Sequence, residues 1–527
     1  MDPILHSPFY SVPLLFALVV FIYFLVKVLR AYGKQGLVLP EAGGAWPIIG
    51  HMHLLGPNQL THHTLGAMAD KYGPAFSVKL GSHKAVVLSN WEMAKECFLT
   101  HDRNFIERPI VLASKLLGYN LAMFAFSPYG SYWREIRKIV ALELLSARRI
   151  EMLKGLRISE VQTMIREVYK LWVESGSNGD GVLVDMKELF GNMTHNLVMA
   201  MVAGKRYFGS SGNGKDGEAQ KFEKMTRKLV HLFMVFLVSD FIPFLKWLDS
   251  KAHKREMKRT AKEFDAFIQV WLEEHKQKRL LKGKGAQGDE DFMDVMISIL
   301  RDAEIAGFDA DTITKATSLS LILAGSDAPT VVLLWAVCLL LNNRHVLENA
   351  RAELDRVIGK DRLVNESDIK NLVYIQAIVK ETLRLYAPTP VIPLRAAIED
   401  CIIKPGYHIP AGTRVMVNLW KIHRDESVWP EPNEFKPERF LTTHKDIDVR
   451  GHNFELIPFG SGRRSCPAIA LSLQSLHLAL ANFIHCFDMT NISNEDVDMT
   501  ETFGLTNFKA TPLQVYLLPR LHPSLYQ

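Results

Sequence analysis

The sequence predicts a mainly α fold, a large helical domain with small β-sheets, preceded by one N-terminal transmembrane helix. Helical periodicity dominates from Glu92 onward. An almost wholly apolar stretch, Phe9 to Val26, approaches the roughly 20 residues that a spanning helix needs. No internal repeat and no long linker divides the 527 residues, and a hydrophobic content of 48% is enough for one sizeable core.

The N-terminal segment, residues 1–30, is predicted to be a membrane anchor. Basic residues follow the apolar stretch, from Lys27 to Lys34, whereas only Asp2 precedes it. A positive flank of this kind stays on the cytosolic side. A cleaved signal peptide would need a basic start and a small-residue cleavage site, and neither is clear here. We therefore expect a single-pass protein with a cytosolic body; a buried core helix is the alternative.

The predicted elements of the body follow from turn residues and periodicity. Residues 31–50 are predicted to be a hinge, because the run from Pro40 to Gly50 is rich in residues that prevent helix. The remainder, residues 51–527, is predicted to be one domain. Two alternating segments separated by Gly81-Ser82, namely Ala75 to Leu80 and Ala85 to Leu88, predict a short hairpin. Helices are predicted at Ile150 to Trp172, Phe222 to Val238, Lys254 to Lys278, Ile313 to Asn342 and Ile469 to Leu480, and surface loops at Gly209 to Glu218 and Lys282 to Glu290.

Charge and cysteine content exclude two classes of protein. The net charge is +5, and the basic cluster on one predicted helix has no base-stacking aromatic residues between its members, so we expect no nucleic-acid binding. That cluster comprises Lys251, Lys254, Arg255, Lys258, Arg259 and Lys262. The five cysteines lack paired spacing, which argues against a disulfide framework and for a reducing compartment. They are Cys97, Cys338, Cys401, Cys466 and Cys486.

Cys466 ends the most informative segment, which runs Phe459-Gly-Ser-Gly-Arg-Arg-Ser-Cys. Its glycines, Gly460 and Gly462, let the chain turn and pass close to a flat macrocycle. Arg464 can meet a haem propionate through charge-assisted hydrogen bonds. The helix predicted just beyond the cysteine would point its first free N–H groups at the sulfur and stabilise a thiolate. Such a thiolate can be the axial ligand of a haem iron and favour splitting of the O–O bond of dioxygen. A small buried hydrophobic residue is the alternative.

This segment resembles the haem-binding loop of the cytochrome P-450 superfamily, Phe-x-x-Gly-x-Arg-x-Cys-x-Gly. The last glycine is Ala468 here, which affects only the packing of the loop against the haem. With the runs Pro40 to Gly50 and Ser127 to Trp133, the loop is most similar to the eighty-second numbered family of plant microsomal enzymes, whose members oxidise flavonoids, terpenoids and alkaloids. The resemblance covers essentially the whole chain. It implies haem b (heme b, iron protoporphyrin IX) bound through Cys466 and Phe459, with O2 as co-substrate and electrons from NADPH through a separate reductase.

The resemblance also implies which donors hold the haem propionates. Trp133 and Arg137 are four residues apart on one helical face and suit one propionate. Arg395 is expected to reach the other propionate. The alternative for each is a surface arginine or a core tryptophan.

A second motif is expected to brace the haem-binding core. Glu381 and Arg384 are three residues apart on a predicted helix and can form a bidentate pair. Arg439 matches the third member of this network in the family. Taken alone, Glu-x-x-Arg usually marks a surface pair worth at most about 1 kcal/mol.

The long predicted helix carries a departure from the family pattern Ala/Gly-Gly-x-Asp/Glu-Thr. Asp327 keeps the acid that helps deliver protons, but Ala328 replaces the threonine whose hydroxyl stabilises the activated oxygen. Pro329 has no N–H, so the Gly325 carbonyl loses its helical partner and we expect a kink or widening that offers it to a water molecule. A tolerated kink without mechanistic meaning is the alternative.

Thr330 is not a simple replacement for the missing threonine. It lies about 200° around an ideal helix from Ala328. Water held by Ser326, Asp327 or the Gly325 carbonyl is the expected proton route.

The resemblance implies a substrate pocket lined by apolar residues. The positions are Leu116, Phe124, Phe126, Phe233, Leu321, Ala324, Ala328, Val391, Ile392 and Leu505. A planar or polycyclic lipophilic substrate follows, held by shape with few polar contacts.

The sequence therefore predicts a monooxygenase of the endoplasmic reticulum membrane that hydroxylates or otherwise oxidises a plant flavonoid, terpenoid or alkaloid. Ala328 keeps a haem-thiolate ring-closing enzyme, isomerase or dehydratase open, and a haem-based binding or sensing protein is the non-enzymatic alternative. The sequence leaves open the substrate, the carbon attacked and the oligomeric state.

Overall fold

The structure is a computed structural model that describes Leu18, Phe21, Ile22 and residues 37–527 except 57–58, 177–178, 180, 210–215, 236, 283–289, 494 and 505. The predicted anchor, residues 1–30, thus lies outside the described residues apart from Leu18, Phe21 and Ile22, which are helical and exposed. Most of the first half of the predicted hinge and Leu505 of the predicted pocket also lie outside them.

Helices make up most of the described chain. In chain order they are α1 (Thr61–Tyr72), α2 (Trp91–Lys95), α3 (Leu112–Leu117), α4 (Ser131–Ile139), α5 (Ala147–Met152), α6 (Lys154–Glu174), α7 (Met186–Ala203), α8 (Asp216–Phe233), α9 (Val238–Phe241), α10 (Lys251–Lys282), α11 (Phe292–Leu300), α12 (Ala310–Asn342), α13 (Arg344–Val357), α14 (Val373–Leu385), α15 (Leu419–Ile422) and α16 (Ile469–Cys486).

Three of the predicted helices appear as single elements, α10, α12 and α16, each longer than predicted. The predicted helix from Ile150 to Trp172 is instead two helices, because Leu153 leaves the helical conformation with ψ near 2°. Helix α8 begins inside the predicted loop and ends five residues early, at Phe233. Acidic residues in its first turn favour an early start. The residues just after Phe233 in the sequence are all apolar, so they show no helical periodicity that could mark where α8 ends.

The strands form small sheets beside the helices. They are β1 (Ala75–Leu80), β2 (His83–Leu88), β3 (Val182–Asp185), β4 (Glu304–Ile305), β5 (Phe308–Asp309), β6 (Val391–Ala396), β7 (Cys401–Ile403), β8 (Tyr407–Ile409), β9 (Arg414–Asn418), β10 (Phe487–Asn491) and β11 (Gln514–Pro519). The main sheet has the order β1-β2-β9-β6, and a second has the order β10-β11-β3. The pairs β4-β5 and β7-β8 stand alone.

The predicted hairpin is the edge of the main sheet. Strands β1 and β2 pair antiparallel from Ala75 opposite Leu88 to Leu80 opposite His83. Gly81 has a φ of +61°, and a Cβ there would collide with the carbonyl of Phe241, so this turn requires glycine. Strand β2 then pairs in parallel with β9, more than 300 residues later in the chain, with Ala85 opposite Arg414.

The described part of the predicted hinge, residues 37–50, is hydrogen-bonded to the rest of the domain. The Leu37 N–H donates to the Gly406 carbonyl at 2.7 Å, and the Ala42 N–H donates to the Ser77 carbonyl at 2.9 Å. Residues 37–50 therefore follow the main sheet as part of the folded domain.

The core is built around α12. This helix packs on α7, α14 and α16, and the segment from Val331 to Leu341 is wholly buried. Helices α12 and α16 are long and apolar enough to cross a membrane, but 61% and 67% of their most apolar windows are buried inside the protein. Both are core helices.

Candidate active site

The cysteine loop is a tight turn that ends at the start of α16. The Cys466 N–H donates to the Phe459 carbonyl at 2.9 Å, and the Ser465 N–H donates to the Gly462 carbonyl at 3.0 Å. Gly462 has a φ of +71°, and a Cβ there would collide with Asp102 Oδ1. The loop therefore requires glycine at this position, both for its conformation and for its contact with a neighbouring segment.

The Cys466 sulfur is held in conditions that disfavour a free thiolate. Burial raises the pKa of the Cys466 thiol, although the backbone N–H of Ala468 and the charge of Arg137 act in the opposite direction. A metal ion bound to the sulfur supplies the missing charge and deprotonates a thiol outright. The environment therefore suits a metal-ligating cysteine better than a free nucleophile.

Arg395, near the end of β6, is buried and only partly partnered. Its Nη2 donates to the Ser461 carbonyl at 2.9 Å, and its Nη1 lies 3.7 Å from Asp102 Oδ1. Nε and Nη1 have no hydrogen-bond partner among the described residues. Burial, and then the charge of Arg108, lower the pKa of Arg395 to about 9. A buried guanidinium with free donors is a site for an anion.

Arg464 approaches the same place from the cysteine loop. Its Nε donates to the Ile106 carbonyl at 2.5 Å, and its guanidinium carbon lies 4.7 Å from the centre of the Trp133 ring. Burial, and then the charges of Arg108 and Arg395, lower the pKa of Arg464 to about 9. The charges of Arg108 and Arg395 thus reach Arg464, and Glu107 opposes them.

Helix α4 contributes the two donors predicted from its sequence. Trp133 is buried beneath Arg464, and Arg137 Nη2 donates to the Ser465 carbonyl at 2.6 Å. Both side chains therefore lie against the cysteine loop.

Arg108 is a member of this cluster that the sequence analysis missed. Its Nη1 donates to the carbonyls of Pro393 and Leu394, the latter at 2.8 Å, and its Nε has no partner among the described residues. Burial lowers the pKa of Arg108 to about 10. The sequence signal that could have indicated Arg108 was an arginine before a proline, just after the short helical turn Asn104–Ile106. This signal is weak, because the loop reaches β6 only through the pairing of Glu107 with Ala396, which the sequence does not show.

The predicted bracing network is present and deeply buried. Arg384 Nε and Nη2 donate to Glu381 at 2.7 and 2.8 Å, and Arg439 Nε donates to Glu381 Oε1 at 3.0 Å. The Arg384 Nη1 also donates to the His423 and Pro432 carbonyls. Both charges are wholly shielded from water, so the loss of one partner would leave an uncompensated buried charge.

The residues singled out on α12 divide between two faces. Thr330 Oγ1 lies 2.6 Å from Thr194 Oγ1 on α7 and donates to the Ser326 carbonyl at 2.9 Å. Ser326 Oγ donates to the Ile322 carbonyl at 2.7 Å. Gly325 faces α7 as well, because a Cβ there would lie 2.9 Å from Val198 Cγ2. These groups hold the two helices together.

Asp327 lies near α7 as well. Burial raises the pKa of Asp327, and the charges of His195 and Lys187, both on α7, oppose this rise. Asp327 therefore interacts electrostatically with His195 and Lys187 on the neighbouring helix.

The other face of α12 carries none of these hydroxyl groups. Leu321, Ala324 and Ala328 recur at helical spacing, and all three keep some exposure. Helix α12 passes through Pro329 without an interruption of its α-helical conformation. The hydroxyls of Ser326 and Thr330 already donate within α12, so neither replaces the one that Ala328 lacks.

Five of the ten predicted pocket residues belong to one apolar cluster. Phe126 and Phe233 stack with ring centroids 4.8 Å apart. Leu116, Phe124 and Leu321 belong to the same cluster, which also includes Ala468 and Leu471 just after the cysteine loop. Val391 and Ile392 do not; they pack in the two clusters around the main sheet.

Residues 40–517 match the model of the family described as Cytochrome P-450. The chain belongs to the cytochrome P-450 family. The predicted mainly α P-450 fold is also confirmed: a solved zebrafish cytochrome P-450 with progesterone has a TM-score of 0.72 over 88% of this chain and 100% of that one. At 24% identity, this likeness shows the fold alone.

This cytochrome P-450 is similar to plant enzymes over nearly its whole length. Cytochrome P-450 82A4 of Glycine max is 51% identical over 98% of this chain and 97% of its own. Strychnine-10-hydroxylase of Strychnos nux-vomica is 48% identical over 99% of both chains. Flavonoid-6-hydroxylase of Mentha piperita is 50% identical over 92% of this chain and 93% of its own. The predicted likeness to the eighty-second numbered family is confirmed.

A cytochrome P-450 is a monooxygenase that carries a thiolate-ligated haem, and the residues of this chain fit that cofactor. Cys466 would hold the haem through its sulfur, and the haem-thiolate would supply oxygenase chemistry when bound. The free donors of Arg395 and Arg108 suit the two propionate groups. Arg137 and Arg464 lie against the same loop, so the cluster carries the positive charge that a dianionic cofactor balances.

Proposed function

We propose that this cytochrome P-450 hydroxylates a planar, polycyclic and lipophilic plant specialised metabolite of the flavonoid, terpenoid or alkaloid class. The observation that carries this proposal is the apolar cluster joining the Phe126–Phe233 stack and Leu321 to the residues just after the cysteine loop. Stacked rings favour a flat substrate over a flexible chain. The relatives named for strychnine and flavonoid hydroxylation have rigid ring systems as substrates.

In this proposal, the site residues take three roles. Cys466 holds the cofactor through its sulfur, and Trp133, Arg137, Arg395, Arg464 and Phe459 position it. Glu381, Arg384 and Arg439 brace the surrounding core. Asp327 holds a proton beside His195, and water bonded at the Gly325 carbonyl carries it toward the cavity face of α12.

We further propose that residues 1–30 anchor the chain in the endoplasmic reticulum membrane with the body in the cytosol. Electrons from NADPH then arrive through a separate cytochrome P-450 reductase. The apolar stretch from Phe9 to Val26 and the basic residues after it support this orientation.

The test is reconstitution of the full chain with a plant reductase, NADPH and a panel of flavones, diterpenes and alkaloids. Binding is followed by the shift in Soret absorption when a substrate displaces water from the iron, and products by mass spectrometry. The proposal expects products heavier by one oxygen atom from rigid ring systems. A product from none of these rigid ring systems would contradict it.

A second candidate function is ring closure, isomerisation or dehydration, and the absence of a hydroxyl at Ala328 favours it. Consumption of NADPH and O2 separates the candidates. A hydroxylase consumes at least one of each per product. Product formed without either would establish an isomerase or dehydratase.

A further inference from the structure

Asp102 is a buried carboxylate that lies against the cysteine loop and has no role in the site described above. It lies in the turn just before the short helical turn Asn104–Ile106, and only 8% of its surface is exposed. Its Oδ1 and Oδ2 accept the backbone N–H of Arg463 at 3.3 and 3.4 Å, and Oδ2 also accepts Arg463 Nη1 at 3.3 Å. Gly462 packs directly on Oδ1, where a Cβ would collide. Asp102 therefore holds the middle of the cysteine loop.

Asp102 is also a neighbour of the buried Arg395. Arg395 Nη1 lies 3.7 Å from Asp102 Oδ1, which brings opposite charges together without making a hydrogen bond. Burial, and then the charge of Arg108, lower the pKa of Arg395, and the charge of Asp102 opposes both. The Arg395 guanidinium is fixed from two other sides, because its carbon lies 3.7 Å from the centre of the Phe98 ring and its Nη2 donates to the Ser461 carbonyl. Arg395 is thus kept in place and charged, while its Nε and Nη1 stay available for an anion.

These contacts give Asp102 two separable effects on a cofactor bound at the site. As a hydrogen-bond acceptor, it fixes the loop that carries Cys466. As a charge, it offsets part of the arginine cluster and makes the local electric field less positive. A charge shielded from water acts over roughly 10 Å, because the effective dielectric constant there is about 20. A negative charge disfavours the addition of an electron, so it lowers a reduction potential.

We propose that Asp102 is a positioning residue of the haem site, which fixes the cysteine loop through Arg463 and lowers the reduction potential of the bound cofactor through its charge. It acts through Arg395 and Arg463, not on the substrate. Its charge makes the resting enzyme harder to reduce. The proposal goes beyond the oxidation proposed above, and it rests on the assignment of Arg395 to a haem propionate.

The test compares the reduction potential of the full-length, haem-loaded protein with that of Asp102→Asn by spectroelectrochemical titration. Asparagine keeps an oxygen that can accept the Arg463 N–H but removes the charge. We expect the ferrous form to be favoured by about fivefold over the wild type at equal applied potential. Haem transfer to apomyoglobin should change little. Glu92→Gln removes an exposed carboxylate from α2 and is the matched control for net charge, which should keep the wild-type potential.

Asp102→Ala removes the acceptor as well as the charge. It should raise the potential as Asp102→Asn does. It should also lose the red-shifted Soret band of the reduced carbon monoxide complex, which reports the sulfur ligand, about tenfold faster than Asp102→Asn. A merely structural residue would change the second readout without the first. Equal potentials in Asp102→Asn and the wild type therefore overturn the proposal, and so does equal Soret decay in the alanine and asparagine variants.

Asp102→Glu decides the question if Asp102→Asn does not retain haem. Glutamate keeps the charge, so retained haem and a potential near that of the wild type support the proposal. Loss of haem from Asp102→Glu as complete as that from Asp102→Asn overturns it, because the site then depends on the shape of the side chain and not on its charge.

Arg395→Leu separates this proposal from the assignment on which it rests. Faster haem transfer from Arg395→Leu, together with an unchanged potential in Asp102→Asn, overturns the role of Asp102 alone. Unchanged haem transfer from Arg395→Leu overturns the propionate assignment as well.

Discussion

Arg108, Arg395 and Arg464 approach one another from three different parts of the chain. Burial is the largest cause of the lowered pKa of Arg395 and Arg464; the charge of Arg108 comes next for both, and the charge of Arg395 also lowers the pKa of Arg464. Few carboxylates lie near enough to offset them, apart from Asp102 and Glu107. The two propionate groups of a bound haem would supply the negative charge that this cluster lacks.

The first prediction is that Arg108→Leu weakens haem retention by about tenfold or more, since a hydrogen bond to a charged group contributes about 1.5–3 kcal/mol. The rate of haem transfer to apomyoglobin and the haem-to-protein ratio measure it. Arg103→Leu removes an exposed arginine nearby and is the control. Equal transfer rates in both variants would show that Arg108 does not hold the cofactor.

The second prediction concerns the missing hydroxyl on the cavity face of α12. Ala328→Thr should lower hydrogen peroxide release per NADPH by about fivefold, the effect of roughly one hydrogen bond. Ala328→Val has nearly the same shape without a hydroxyl and should leave the ratio unchanged. If both variants behave alike, the effect is one of volume and not of proton delivery.

At the scale of single residues, the sequence indicated the candidate site residues that lie within one segment. It missed a residue that only the folded chain brings to the site. Phe459, Arg464 and Cys466 lie in one loop, so their spacing in the sequence is enough to indicate the candidate site. Arg108 belongs to the site only because Glu107 pairs with a strand almost 300 residues later. No local pattern contains that pairing.

Among the elements, α7 and α12 form the closest helix pair near the site. Thr194 on α7 meets Thr330 on α12, and Gly325 lies directly against Val198. Small residues at such a contact let two helices approach closely, while the hydroxyls satisfy each other in a buried place. The Gly-x-x-x-x-Thr part of the α12 motif is thus used for helix packing.

The third prediction is that Gly325→Ala lowers the free energy of unfolding by about 1 kcal/mol. Alanine gains about 1 kcal/mol in helix propensity, but overpacking costs about 1–3 kcal/mol, and a Cβ here lies 2.9 Å from Val198 Cγ2. Loss of Soret absorption in urea measures the change in the haem-loaded protein.

The Val198→Ala background provides the control for this prediction. There the clash is removed, so Gly325→Ala should stabilise the protein or leave it unchanged. Equal effects in both backgrounds would show that the two helices adjust without cost.

Element lengths and types were largely predictable, but helix faces were not. The apolar run of α12 is buried nearly all round, so its sequence does not show which side meets α7 and which lines the cavity. For the same reason Ser326 and Thr330 looked like candidates for chemistry, whereas their hydroxyls donate within α12. Those bonds run one turn back along α12 itself, to the Ile322 and Ser326 carbonyls, and depend on side-chain rotamers that only the folded structure shows.

In the whole molecule, Glu501 fastens the C-terminal loop to α1. Its carboxylate accepts from His62 Nε2 at 2.7 Å, a contact between residues 439 positions apart. Burial opposes the charge, but hydrogen bonds from His62 and His63 outweigh it and lower the pKa of Glu501 to about 2. Burial lowers the pKa of His62, so this ring donates as a neutral group.

The fourth prediction is that Glu501→Gln lowers the free energy of unfolding by about 1.5–3 kcal/mol at pH 7, the contribution of a hydrogen bond to a charged group. A carboxyl with a depressed folded pKa stabilises the fold above its unfolded value of 4.5, and this contribution is lost as the pH falls toward about 2.

Urea midpoints from pH 7 to pH 3 measure this dependence. The gap between the wild type and Glu501→Gln should narrow below pH 4.5. Glu495→Gln changes an exposed carboxyl close by in sequence and should show no gap. A gap that is constant with pH would mean that the ionised carboxylate contributes nothing.

The division into an anchor, a hinge and one domain stays a prediction, and long-range contacts decide where residues 37–50 belong. Residues 51–527 read as one body, but residues 37–50 belong to it too, because their backbone bonds join β1 and β8. Proline and glycine content identifies irregular backbone without saying what it packs against.

The arginine cluster has a consequence for how the chain matures. Three guanidinium groups lie close together here, and an anionic porphyrin would offset their charge, so we expect a newly translated polypeptide starved of haem to hold this region less tightly. We expect such chains to be cleaved by proteases around residues 104–108, and cells short of porphyrin precursors to lose the enzyme itself as well as its colour.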